Sequence, residues 1–313
     1  MCGGTKFHGV FCSCVSPFKI VFDSLKIFLR NKRFFFSIFF FISLPLSFFI
    51  FSLSLTTYPL LVQIYHLEAV ALLASTRVEA RHVWHESRDD AIYLLRIKAL
   101  FSIPCFFLSL VTAVAAVHAT ALSYNGKVPT LQSAAAAVKQ NWKRPSITTI
   151  FMYIILLAFA PIQWIFAGMA PTSELRFIAM AVGSGLEVYL MAVLSLGLVV
   201  SISEERCGWE AIKVGSGLMA ERRFCGWVLS GLLVSVSGLI WGKMKVLMEG
   251  QISSTEILSL MSGMEKMGII CIYGAVVVWS YVVTAVFYCE CRGRHGIREL
   301  EHEEDQETGI SMI

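Results

Sequence analysis

Glu187 is the residue of this sequence least suited to its surroundings. It lies in the apolar stretch GSGLEVYL, and a carboxylate at the centre of a bilayer costs on the order of a few kcal/mol. Such an acid can relay protons or ions, or it can sit protonated against a neighbouring helix; the sequence leaves both open. His118, in a different apolar stretch, is a candidate partner that falls nearer the end of its run. His66, His82, His85 and Glu86 form a second group. His82 and His85 share one helix face and would need a third ligand to hold zinc; a solvated charged helix explains them equally. There is no HExxH, no GxSxG and no P-loop. The GSG triplets at 183–185 and 215–217 lack the strand–turn–helix setting that cradles phosphate. The expectation is a protein without catalytic activity, metal or cofactor.

The nine cysteines are Cys2, Cys12, Cys14, Cys105, Cys207, Cys225, Cys271, Cys289 and Cys291. Their placement does not resemble a disulfide framework. Cys12 and Cys14 are half of a metal site with no second half. Cys12, Cys14, Cys289 and Cys291 flank apolar runs, where reversible palmitoylation occurs; free thiols are the alternative.

The elements that must position these residues are apolar. Of 313 residues 56% are hydrophobic and 15% charged, against about 25% charged in soluble domains. A helix needs about 20 apolar residues to cross the hydrocarbon. Six runs qualify: 34–55, 99–123, 146–169, 177–202, 226–247 and 267–289. Backbone amides without water must pair within their own segment, so these runs should be helices. The fold class expected is all-α, a six-helix membrane bundle, with an arm at 1–33, a membrane domain at 34–289 and an acidic tail at 290–313. The tail is expected to lack structure. The long connection 56–98 is expected to hold one or two helices, and residues 250–265 a short amphipathic one. Pro45, Pro104 and Pro161 should bend their spans.

Net charge is +4, too small to imply nucleic-acid binding. With both termini on one side, 17 of the 26 Lys and Arg share that side. The positive-inside rule then places both termini in the cytosol, in an endoplasmic reticulum, endomembrane or plasma membrane.

A repeated pattern joins these parts. SPFKIVFDSLKIFLRNKRFFFS (16–37), PTLQSAAAAVKQNWKRPSIT (129–148) and GWEAIKVGSGLMAERRFCGW (208–227) each run from an amphipathic stretch through a basic pair into a span. The pairs are Lys32–Arg33, Lys143–Arg144 and Arg222–Arg223. Such helices lie in the interface with apolar faces toward lipid. Their basic pairs should meet anionic headgroups, each charge contributing roughly 1 kcal/mol. In the fifth span Gly231, Ser235, Gly238 and Gly242 form a stripe for close helix packing, within the chain or with another membrane protein.

The segment VVSISEERCGWEAIKVGSGLMAERRFCGWVLSG, residues 199–231, resembles a family of plant multi-pass transmembrane proteins of unknown function, some described as binders of polyadenylate-binding protein. The repeated helix-plus-hairpin arrangement is also similar to the membrane domain of bacterial glycerophosphodiester phosphodiesterases, whose catalytic domain has no counterpart here. The resemblance implies a plant endomembrane or plasma-membrane protein and brings no catalytic residues. Two functions stay open: a membrane scaffold, shaping or trafficking component whose partners are membrane lipids, and a transporter or channel using Glu187.

Overall fold

The computed structural model describes residues 5–73, 77–169, 172–249 and 256–310, with side chains for 17–73, 78, 81–162, 165–166, 168–169, 172–220, 222–247 and 263–292. The described residues form helices and no strand. In chain order these are α1 (Thr5–Arg30), α2 (Lys32–Ile38), a π-helical turn (Phe39–Ser43), α3 (Leu44–Leu73), α4 (Arg77–Tyr124), α5 (Leu131–Asn141), α6 (Lys143–Met169), α7 (Ser173–Ser203), α8 (Gly208–Glu221), α9 (Arg223–Glu249) and α10 (Glu256–Ile310). Six of the helical segments are long and apolar enough to cross a membrane. Each overlaps one of the six expected spans, and the chain is a multi-pass membrane protein with an all-α fold.

The helices are longer than hydropathy indicates. The connection 56–98 is not a loop with helices of its own. Residues 56–73 extend α3 and residues 77–98 begin α4, so α4 alone runs 48 residues, about 72 Å at 1.5 Å per residue. The tail is also corrected: α10 continues to Ile310. Of the short helix expected at 250–265, residues 250–255 lie outside the described residues and the remainder begins α10.

Local chemistry sets the ends. Gly126, with φ +76°, closes α4, its N–H bonding Ser123 O at 3.1 Å and the next N–H bonding Leu122 O at 2.9 Å. This Schellman pattern needs a left-handed residue, which glycine adopts without a Cβ clash. Thr130 caps α5 in a reciprocal box with Ser133. Thr172 caps α7 by accepting from Leu175 N at 3.3 Å. Pro45 lies just beyond the π turn. Its ring would clash with the carbonyl four residues back in a regular α-helix, and the wider turn relieves that crowding. Pro104 and Pro161 are inside α4 and α6.

Two compact units divide the chain. The first comprises residues 1–38, 113–238 and 276–313. Its core is the run Ala192–Ser201 of α7 apart from Ser195, with Ala113–Val117 of α4, Val282, Val283 and Ala285–Tyr288 of α10, and Ala211, Ile212, Leu218 and Met219 of α8. The second comprises residues 39–112 and 239–275. Its core is Phe51, Met244 and Ile270, with Phe51 stacked on Trp241 at 5.7 Å and edge-on to Tyr273 at 5.3 Å. There the Ser43 hydroxyl donates to Gly274 O at 2.7 Å.

Candidate functional site

The repeat is realised as three one-residue elbows. Asn31 separates α1 from α2, Trp142 separates α5 from α6, and Arg222 separates α8 from α9. Each elbow carbonyl accepts the first backbone bond of the following helix: from Phe34 N at 3.0 Å, Ser146 N at 3.2 Å and Gly226 N at 3.0 Å. Each span therefore starts at the basic pair found in the sequence.

The three amphipathic helices differ in what covers their apolar faces. On α1 the positions Phe18, Phe22, Leu25 and Leu29, spaced as one stripe, are exposed, Phe18 by 73% and Phe22 by 68%. Lys19, Lys26 and Arg30 are exposed beside them. On α5 the same spacing carries Leu131, Ala135, Val138 and Trp142, all exposed except the half-buried Val138. On α8 the apolar face is covered: Ala211, Ile212, Gly215, Leu218 and Met219 are buried. α8 packs on α7 at a crossing where a Cβ on Gly215 would come within 2.7 Å of Gly197 N, and one on Gly197 within 3.0 Å of Ile212 Cα. The third copy is therefore a packed helix, which corrects the reading of its apolar face as lipid-directed.

The basic residues divide in the same way. Lys32, Arg33, Lys143 and Arg223 are exposed. Arg144 is half-buried and lies 3.6 Å from the exposed Glu205. Arg222 is largely buried, its Nη1 3.1 Å from Glu290 Oε1 with side-chain exposures of 16% and 18%. An arginine held this way is a tie between α9's entrance and α10 rather than a headgroup ligand, which corrects the expectation for Arg222.

Sequence reasoning missed the centre of this polar region, Glu204. It ends α7, its N–H bonding Val200 O at 2.7 Å. Its carboxylate accepts from the Tyr288 hydroxyl at 2.8 Å and lies 3.5 Å from Arg292 Nε and 3.7 Å from Arg206 Nε. Gly208, at φ +58° as the first residue of α8, donates its N–H to the Thr148 hydroxyl of α6 at 3.0 Å. In α1 and its elbow, Arg30 donates to Ser123 O and Asn31 Nδ2 to Ser123 Oγ at 3.0 Å. The segment 199–208 thus ties α7 to α6, α8 and α10. Its signal in sequence was SEER at the end of a span, with one arginine, Arg292, in a later segment.

Glu187 and His118 are not brought together. Glu187 is half-buried in α7 and makes no side-chain hydrogen bond or ion pair among the described residues. His118 lines a cavity of about 460 Å³ with Ile202 and Ser203, fifteen residues farther along α7, or roughly 22 Å by helical rise. The glycine stripe also separates: a Cβ on Gly231 would meet Val188 at 3.7 Å, while Gly238 and Gly242 face open space and Ser235 is exposed. Of the palmitoylation candidates, Cys291 is buried and Cys289 half-buried. Thioester formation needs a reachable sulfur, so Cys291 is corrected. The side chains of Cys12 and Cys14 lie outside the described residues. His66, His82 and His85 are exposed, and His85 Nδ1 lies 3.5 Å from Asp89. No metal-binding group occurs among the described residues.

A family model described as Domain of unknown function (DUF8558) matches residues 12–301. No curated protein and no solved structure matches the chain.

Proposed function

We propose that this chain, which belongs to the DUF8558 family, works without catalysis as a scaffold or shaping component of its membrane, held to the bilayer surface by α1 and α5. The observation that carries this reading is the pair of largely exposed apolar stripes, Phe18–Phe22–Leu25–Leu29 and Leu131–Ala135–Val138–Trp142, each leading to an elbow followed by exposed basic side chains, Lys32 and Arg33 after the first and Lys143 after the second. An apolar stripe beside cationic side chains suits the boundary between acyl chains and anionic headgroups. Wedging two such helices into one leaflet expands that leaflet relative to the other, which is how a protein without a reaction can shape a membrane. The spans support the stripes: Asn31 and Arg30 hold the end of α1 against Ser123, which fixes its exit angle.

The transporter reading rests on Glu187, which does not line the cavity beside His118. The test is reconstitution into vesicles of phosphatidylcholine with and without phosphatidylserine, with an environment-sensitive fluorescent amino acid at position 22 or 135. Both positions should be quenched by shallow lipid-borne quenchers. Reversing Lys32 and Arg33 to Glu should weaken the quenching at position 22 in the anionic vesicles. An aqueous probe environment at both positions refutes the surface role. A proton or ion flux that Glu187→Gln abolishes would move the assignment to transport.

A further inference from the structure

The cavity beside His118 is independent of the surface stripes. Its walls are Val114, Val117, His118 and Ala121 of α4, Ser133, Ala136, Ala137, Gln140 and Asn141 of α5, and Ile202 and Ser203 at the end of α7. Its volume, about 460 Å³, falls within the range of small-molecule sites, roughly 300–1,000 Å³. Two features define its chemistry. No Asp, Glu, Lys or Arg lines it, so a phosphate or ammonium would enter without a counter-charge, which is unfavourable away from water. Its polar groups are neutral donors and acceptors that converge from three helices. His118 and Asn141 are half-buried, and neither makes a side-chain hydrogen bond among the described residues. The rest of the wall is small and aliphatic. The run of alanines at 134–137 matters here, because any larger residue at 136 or 137 would take up the space.

We infer that this cavity between α4, α5 and the end of α7 is a binding site for a lipid with an uncharged, hydroxyl- or ester-bearing head, of the diacylglycerol type. His118, Gln140, Asn141 and Ser203 meet the glycerol hydroxyl and ester carbonyls. Val114, Val117, Ala121 and Ile202 meet the first carbons of the chains. α5 forms one wall and is also an amphipathic helix with an exposed apolar stripe, so a ligand leaving the hydrocarbon has a short path under it.

The test uses the full-length protein in vesicles with two photoactivatable probes, a diacylglycerol and a phosphatidylserine, and maps crosslinked peptides by mass spectrometry. The diacylglycerol probe should label peptides covering 114–121 and 133–141. Ala137→Phe, which fills the cavity, should reduce that labelling to background, whereas Ala135→Phe, on the exposed flank of the same helix, should leave it unchanged. His118→Phe keeps a ring and removes hydrogen bonding, and should lower labelling roughly three- to tenfold, the equivalent of one neutral hydrogen bond. It also serves if Ala137→Phe does not yield folded protein. Labelling that survives both cavity variants overturns the site. Phosphatidylserine labelling of the same peptides, lost in the same variants, overturns the uncharged class.

Discussion

Gly215→Ala should destabilise the protein, and Gly238→Ala, one methyl added to another apolar helix, should stabilise it. A Cβ at Gly215 would lie 2.7 Å from Gly197 N, 3.0 Å from Gly197 Cα and 3.2 Å from the Leu196 carbonyl carbon. These are backbone atoms with no rotamer to yield. Restoring ordinary contact near 3.5 Å requires α8 to withdraw by roughly 0.8 Å, and a gap of that size forfeits a quarter to a half of each contact's attraction. The contacts at stake are those of Ala211, Ile212, Leu218 and Met219, buried around the crossing. Overpacking of this kind costs about 1–3 kcal/mol, partly offset by up to about 1 kcal/mol of helix propensity. At Gly238 a Cβ meets nothing within 4 Å, so the propensity gain of about 0.5–1 kcal/mol stands alone. Thermal unfolding of the purified protein in detergent reads both. With roughly 2–4 °C per kcal/mol for chains of comparable size, Gly215→Ala should melt several degrees low and Gly238→Ala slightly high. A Gly215→Ala melting point at or above the parent's refutes the close α7–α8 crossing. A fall for Gly238→Ala refutes the open surroundings of that residue.

Two further outcomes are expected. A double-mutant cycle on Arg222→Met and Glu290→Gln should give a coupling of about 1–3 kcal/mol in detergent unfolding, below the 3–5 kcal/mol of a fully buried pair because both side chains keep some exposure; additive effects would remove the tie between α9 and α10. With a water-soluble maleimide on folded protein, Cys207 should react quickly and Cys291 only on unfolding, since one is exposed and the other buried; equal rates would reopen Cys291 as an acylation site.

Much of the fold is legible along the chain because a bilayer leaves a helix few alternatives. Apolar runs of span length must be helical, and the basic pairs mark where three of those helices start. Residues 56–98 and the tail were misjudged for one reason. Hydropathy reports where a helix can sit in lipid, not where its backbone bonding stops, so charge-rich continuations such as Ser87–Lys98 and Glu290–Ile310 were read as breaks.

The candidate sites were legible only as residue types. Glu187 and His118 looked like one pair, yet helical rise along α7 keeps them apart. The Gly238–Gly242 spacing matched a packing motif, while the close backbone approach of α7 and α8 uses Gly197 and Gly215, which come from different helices and share no sequence pattern. Glu204, Tyr288, Arg206 and Arg292 form one network because the end of α7 lies against α10 across 84 residues of chain.

By itself the sequence determined the class of protein, the six spans and the three basic entrances, since each follows from composition and local periodicity. Which amphipathic faces stay open was decided by tertiary packing. α1, α5 and α8 have similar patterns, but two glycines in register let α7 cover α8, and among the described residues nothing comparable covers the exposed stripes of α1 and α5. Burial depends on what other segments bring to a surface, and periodicity within one segment carries no information about that.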